Sequence, residues 1–298
     1  MRIEGFLSAR GAGVRQYRLL APSVGCVNRT VEGVSELDPE LRVLTHQHGC
    51  GMLDDDVAQF GSMLAGVFCN PNVVSGVVVG LGCESNQASA VRDLATANGG
   101  AITSVVLQEH GGVESTRRAV LNVAEVQSAP RVRTALPLEA VRVAVLCQAS
   151  SETATAAANQ LSRSLADVGL QVAGPLMTYP GGVASSAGLS VPEVWATGER
   201  VHQPTDVETL SLAASQGVVL AVSFSDDAMP IGSPVMPVVR VSTSPGWAHM
   251  ADFTWLTDDD SAVSGLLALI EEVANGRPTA GERLGQRDFA PPRVAPTM

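Results

Sequence analysis

Val73–Leu81 contains five valines in nine residues. It lies between a breaker, Asn70-Pro71-Asn72, and a glycine turn, Gly80-Leu81-Gly82-Cys83-Glu84. A short β-branched run without polar alternation is the pattern of a strand buried on both faces, which belongs inside a parallel sheet. Parallel neighbours need crossovers, so this stretch commits the chain to repeated βα units covered by helices on both sides. At nine residues it is also far too short to span a bilayer.

Other stretches carry the same punctuation. Val14–Val24 reads as a strand ending in Gly25-Cys26, and Leu41–Leu44 as a strand entering Thr45-His46-Gln47-His48-Gly49-Cys50-Gly51. Asp54–Phe68 has a helical period, with Val57, Phe60, Met63, Leu64 and Val67 on one stripe. After Val73–Leu81 comes a helix capped by Ser85 and carrying Ala88, Val91, Leu94 and Ala95, then a strand over Ala101–Leu107 that delivers Gln108, Glu109 and His110. Further on, Val141–Leu146 is a strand ending at Cys147, Ser150 and Ser151 open a helix, and Leu170–Leu176 is the next strand. The remaining expectations are a helix opened by Thr205-Asp206-Val207-Glu208, strands over Gly217–Phe224, Val235–Val241 and Asp252–Leu256, and a helix from Asp258 to Ala274. The fold class is therefore α/β, with mainly parallel sheets built from repeated βα units in two lobes. The expected boundaries are 1–135 for an N-terminal lobe with the His/Cys motifs, 136–275 for a C-terminal lobe, and 276–298 for an extended or disordered tail. The Gly-, Ser- and Pro-rich stretch Leu176–His202 reads as a lid or an interlobe linker.

Ligands bind α/β proteins beyond the carboxyl ends of the strands, and the reactive side chains cluster there. Imidazole and thiolate ligate zinc or iron, and both can also act as base or nucleophile. The candidate metal ligands are His46, His48, Cys50, Cys83, Cys26 and Cys147. His46, His48 and Glu109 are the candidate acid–base residues, and Asn28, Glu84, Asn86, Gln108 and Ser150 the candidate substrate contacts. Cys69, at a helix end, reads as structural. All five cysteines fit reduced thiols better than disulfides, which, with no apolar core in Met1–Gly5, places the chain in the cytoplasm. The formal net charge of −11 argues against nucleic acid and anionic membrane surfaces as partners. All 19 basic residues are arginine. A Schiff-base lysine, a P-loop lysine and a lysine general base are thereby excluded.

Gly13–Asn28 (GVRQYRLLAPSVGCVN), Thr45–Gly51 (THQHGCG), Asn70–Gln87 (NPNVVSGVVVGLGCESNQ), Gly232–Val241 (GSPVMPVVRV) and Asn275–Glu282 (NGRPTAGE) together resemble the altronate and galactarate dehydratase family of sugar-acid hydro-lyases. The resemblance implies an elimination lyase acting on a small anionic hydroxy acid. It also implies a divalent metal, Fe2+ in the first instance, and a homo-oligomer; the small N-terminal domain of such enzymes would then be absent or a separate small subunit. An iron–sulfur cluster or thiolate-based catalyst of other chemistry is the alternative, and a non-catalytic relative binding a small molecule or partner is a third reading. The chain departs from the family pattern in its middle. Cys147-Gln148-Ala149-Ser150-Ser151 stands where the family has Cys-Gly-Gly-Ser-Asp, and Ser225-Asp226-Asp227-Ala228 where it has Thr-Thr-Gly-Arg. Losing that arginine and gaining Asp226 and Asp227 should disfavour long polyhydroxy diacids.

Overall fold

The computed structural model describes residues 1–52, 54–126, 132–148, 152–178, 206–226, 231–256 and 260–291. Two parallel sheets dominate it. The first has the order β4-β3-β5-β6, from β3 (Tyr17–Pro22), β4 (Leu41–Val43), β5 (Val73–Gly80) and β6 (Ile102–Val106). The second has the order β12-β11-β10-β8-β9, from β8 (Arg142–Gln148), β9 (Gln171–Thr178), β10 (Leu220–Ser225), β11 (Val238–Ser242) and β12 (Phe253–Thr254). A small antiparallel sheet of β1 (Glu4–Ser8), β2 (Gly11–Gly13) and β7 (Thr134–Ala135) had no signal in the sequence, because Gly-Ala-Gly carries neither branched side chains nor alternation.

Val73, Val77, Val78 and Val79 of β5 are indeed buried, and they serve two cores at once. Val77 and Val79 face Leu20, Leu41 and Val43, beneath α1 (Asn28–Ser35) and α4 (Val113–Val126). Val73 and Val78 face the opposite way, with Tyr17 and Leu19, toward α2 (Asp54–Phe68) and α3 (Ala88–Ala97). That second core continues through α6 (Asp206–Ser215) to Ala144 and Leu146 of β8, so it is shared between the sheets. Val143, Val145 and Cys147 point to the far side, against α5 (Glu152–Asp167) and α7 (Asp260–Ala274). The result is a layered stack with the two sheets separated by helices.

Asn70 and Asn72, expected only to break the chain, join the sheets. Asn70 Nδ2 donates to the carbonyls of Ala214 and Val218, both at 2.8 Å. Asn72 Nδ2 donates to Val219 at 2.8 Å and Val235 at 2.9 Å, while its Oδ1 accepts from Val14 at 2.7 Å. Buried amides with every bond made give the interface directional register that apolar packing lacks. The chain after 276, expected to be extended or disordered, instead folds back as far as it is described. Thr279 caps α8 (Ala280–Arg283) in a reciprocal capping box with Glu282, and Phe289 enters the shared core.

Candidate functional site

Each strand of the first sheet hands a loop to the same carboxyl edge. Cys26 follows β3, the His46–Cys50 loop follows β4, Cys83 and Glu84 follow β5, and Gln108 and Glu109 follow β6. Gly25 lets the first two loops touch: its N–H donates to His48 O at 2.7 Å, and a Cβ there would sit 3.1 Å from His46 O. Gly82, at φ +122°, turns the third loop back against Gln108, where only glycine is comfortable.

Two of the expected chemical residues prove to be braces. His46 is 3% exposed; its Nε2 lies 2.9 Å from Pro22 O, and its Nδ1 accepts the His48 N–H at 3.1 Å. A carbonyl can only accept, so Nε2 carries the proton and neither ring nitrogen has a lone pair left for a metal or a substrate. Burial, partly offset by the Pro22 bond, pushes its pKa down to about 4, so it is neutral at pH 7. The expectation of His46 as base or ligand is corrected on this geometry. Glu84 is likewise buried: one oxygen accepts from Ser23 Oγ at 2.8 Å and Leu81 N at 3.2 Å, the other from Gly82 N at 2.6 Å. It ties the β3 and β5 loops together, and its expected substrate contact gives way to that role. Ser23 is the partner sequence reasoning missed, although it stands in the same Pro-Ser-Val-Gly-Cys turn as Cys26.

His48 is also buried, its ring stacked on Phe60 at 4.9 Å, with Nδ1 3.2 Å from Met52 Sδ. Cys26, Cys50 and Cys83 are exposed thiols. The Cys50 thiol is pushed up by burial first and then by the Cys26, Cys83 and Glu84 charges. Gln108 and Glu109 are exposed at the rim. Asn28 Nδ2 donates to His46 O at 2.8 Å, leaving Asn28 Oδ1 buried without a partner. Asn86 Nδ2, and Gln59 Nε2 on α2, are also buried and unpaired. Such orphaned amide atoms are costly unless something fills them.

Cys147 does not join this group. It ends β8 in the second sheet, is fully buried, and faces Thr155 Oγ1 at 3.8 Å. Burial raises its pKa to about 11, which keeps the thiol protonated in this core. Ser150, Tyr179, Asp227 and most of the expected lid lie outside the described residues. A metal would find the right donor types in the three exposed thiols. Among the described residues, however, no group of three His, Cys, Asp or Glu side chains stands at ligating spacing, so the glycine loops would have to close around an ion.

The motifs on this edge fall within residues 7–129, which match the family model described as "D-galactarate dehydratase/Altronate hydrolase, second domain". Over that segment, less than half of the chain, the sequence is similar to one domain of altronate and galactarate dehydratases. Over 177 residues it is 28% identical to an altronate dehydratase of Bacillus subtilis (strain 168), covering 55% of this chain and 35% of that protein. Over 91 residues it is 33% identical to an altronate dehydratase of Escherichia coli (strain K12), covering 27% of this chain and 18% of that protein. The chain thus matches about a third or less of the length of these relatives. Gly13–Asn28, Thr45–Gly51 and Asn70–Gln87 lie inside the matched family segment, whereas Gly232–Val241 and Asn275–Glu282 lie beyond it. No helix among the described residues is long and apolar enough to cross a membrane.

Proposed function

We propose that this chain is a dehydratase-like lyase that eliminates water, or a comparable β-leaving group, from a small anionic hydroxy acid at the carboxyl edge of its first sheet. The observation that carries this reading is that the loops of one sheet edge present Cys26, Cys50 and Cys83 as exposed thiols, with the unpaired amides of Asn28 and Asn86 within three residues of Cys26 and Cys83 in the chain. The sequence match to altronate dehydratases supports the reaction class.

A proton α to a carboxylate is weakly acidic, and its removal leaves charge that must be held. Cys26, Cys50 and Cys83 are the residues that would hold a divalent ion such as Fe2+, and a bound ion supplies that positive charge. The protein's own contribution is positioning and proton movement. Asn28 Oδ1 accepts a substrate hydroxyl, and Asn86 Nδ2 donates to a carboxylate or hydroxyl oxygen. With lysine absent and His46 spent on the backbone, His48 is the base. Glu109, at the rim, is the alternative acid–base group and the one able to protonate a leaving hydroxyl from the solvent side. The substrate is shorter than an aldaric acid on this reading. Asp226, one of the two acids thought to repel a distal carboxylate, bonds Thr243 at the second sheet, so that repulsion acts only if the substrate reaches across.

Removing His46 from the donor set also favours a second reading, an iron–sulfur cluster, since the remaining donors are three thiols and His48. One experiment separates the two. Protein purified without oxygen is assayed for iron and acid-labile sulfide and then for elimination over a panel of hydroxy acids. Iron without sulfide, with turnover lost in Cys50→Ser and Cys83→Ser, fits the mononuclear reading; stoichiometric sulfide with visible absorbance fits the cluster. Full turnover in both cysteine variants would refute the placement of the site.

A further inference from the structure

On the second sheet, one seam between a strand and a helix is not filled. The sheet ends at β9, which pairs with β8 alone among the described strands, and α5 runs beside it. One side of α5 carries Leu161 and Leu165 into the far core. The flank that meets β9 carries Ala156, Ser162 and Ala166 instead, and β9 offers Val172, Gly174 and Pro175 opposite them. Gly174, at φ +141°, admits no side chain, since a Cβ there would stand 2.5 Å from Val145 O. Small residues on both walls leave a cleft of about 890 Å³, a size that suits a small molecule.

Much of the hydrogen-bonding capacity around this cleft is unused. Ser162 is 8% exposed and its Oγ is buried without a partner, although Ser164 on the same helix donates back to Gln160 O at 3.1 Å. Arg163, exposed at the mouth, gives only its Nε, to Asn159 O at 3.3 Å, and meets no carboxylate among the described residues. Asp167, one turn further along α5, does not pair with it. Asn159 donates from Nδ2 to Thr155 O at 2.9 Å and leaves its Oδ1 open. The Gln171 N–H is taken by Val141 O at 3.0 Å, so the next N–H along this parallel strand, that of Val172, turns to the open edge.

A buried hydroxyl without a bond is costly until something supplies one. Water can satisfy Ser162, but it gives Arg163 no counter-charge. The cleft thus sets one unpaired cation and several hydrogen-bonding groups beside an apolar floor of Val172 and Pro175. A guanidinium fork matches the paired oxygens of a carboxylate or phosphate. We propose that the cleft between β9 and α5 binds a small organic anion. Its carboxylate or phosphate head sits on Arg163 and its apolar body lies over Val172 and Pro175. Ser162 reaches it by a turn about the Cα–Cβ bond, and the Val172 N–H adds a donor at the edge. The cleft shares no residue with the thiol edge of the first sheet and does not rest on the lyase reading.

The test is isothermal titration of the full chain with phenylacetate and, separately, with phenyl phosphate, at ionic strength fixed by chloride. Neutral phenylacetamide is the control. At least one anion should bind about tenfold or more tightly than phenylacetamide, and the better of the two assigns the head group. Arg163→Gln should weaken that binding by about tenfold or more. Ala166→Leu, at a position exposed in the free chain, should fill the cleft and abolish binding at an unchanged thermal midpoint. Ser162→Ala should weaken binding by about threefold while raising the midpoint, because it removes an unpaired hydroxyl from the free protein. The Cys50→Ser, Cys83→Ser double variant should bind as the parent does. No heat from either anion, equal binding of phenylacetamide, or parental affinity in both Arg163→Gln and Ala166→Leu would overturn the proposal. So would loss of binding confined to the cysteine variant.

Discussion

The two parallel sheets put the same kind of residue at the same kind of position and obtain opposite results. Cys26, Cys50 and Cys83 follow strands of the first sheet, and Cys147 ends a strand of the second. After β3, β4 and β5 the chain turns through Gly25, Gly49 and Gly82, which carries each sulfur past the sheet edge into solvent. Cys147 is still within β8, its side chain facing Ala154, Ala157 and Phe224 in the far core. A strand-end cysteine thus becomes chemistry or filler according to whether a glycine lifts it out of the sheet.

The largest expected effect tests that contrast directly. Cys50→Ser with Cys83→Ser should lower bound iron and elimination activity by about 100-fold or more while leaving the unfolding midpoint near the parent's. Exposed serine replaces exposed thiol at little structural cost. Parental iron content would make the first sheet's edge no more special than the second's. The joint between the sheets gives the next effect. Glu282→Gln leaves Arg15 buried without its counter-charge, and breaking such a pair costs about 3 kcal/mol. Denaturant unfolding that moves by less than about 1 kcal/mol would mean that carbonyls alone satisfy Arg15.

What could be read in the sequence follows the same division. The buried strands were legible because valine-rich runs between breakers have few other solutions, and α2 was legible because Phe60, Met63, Leu64 and Val67 recur at helical spacing. Helices α1 and α4 were not, since Asn-Arg-Thr-Val-Glu-Gly-Val-Ser shows too few apolar positions for a periodicity to stand out. Ser85 was expected to cap α3; Gln87 holds that position, and Leu94 on the expected inner stripe is exposed. At the site, the strand-end cysteines could be placed from order alone. The occupation of His46 by Pro22 O and His48 N–H could not, because spacing says which residues share a turn and not which backbone atoms a ring will meet.

His46 provides the third prediction, through pH. Its folded pKa of about 4 lies below the ordinary histidine value near 6.5, so between those limits the unfolded chain binds the extra proton. Stability from this group is complete above about pH 6.5, falls as pH drops toward 4, and is flat below. The full loss is at most about 3 kcal/mol, from the width of that window. Urea midpoints between pH 7 and 4.5 should show the decline, and His46→Gln should flatten it while lowering stability at pH 7. An unchanged slope in the variant would mean that the acid sensitivity lies in the carboxylates.

Cys147→Ser completes the comparison and should have the smallest effect. The buried thiol behaves as a small apolar group with a weak contact to Thr155. A hydroxyl of similar size is more polar, and burying it without a full hydrogen bond costs about 1–2 kcal/mol. Thr155 Oγ1, at 3.8 Å from the sulfur, is too far for a good hydroxyl bond unless α5 shifts. Cys147→Ala should cost a similar amount for a different reason, a small void left in the far core. Neither substitution should change iron content or turnover, since Cys147 is buried in the far core and not at the edge that carries the exposed thiols. Thermal unfolding and metal analysis of the two variants, beside Cys83→Ser, would settle it. Iron lost from Cys147→Ser at unchanged stability would place that sulfur at the metal and join the two sheet edges into one site.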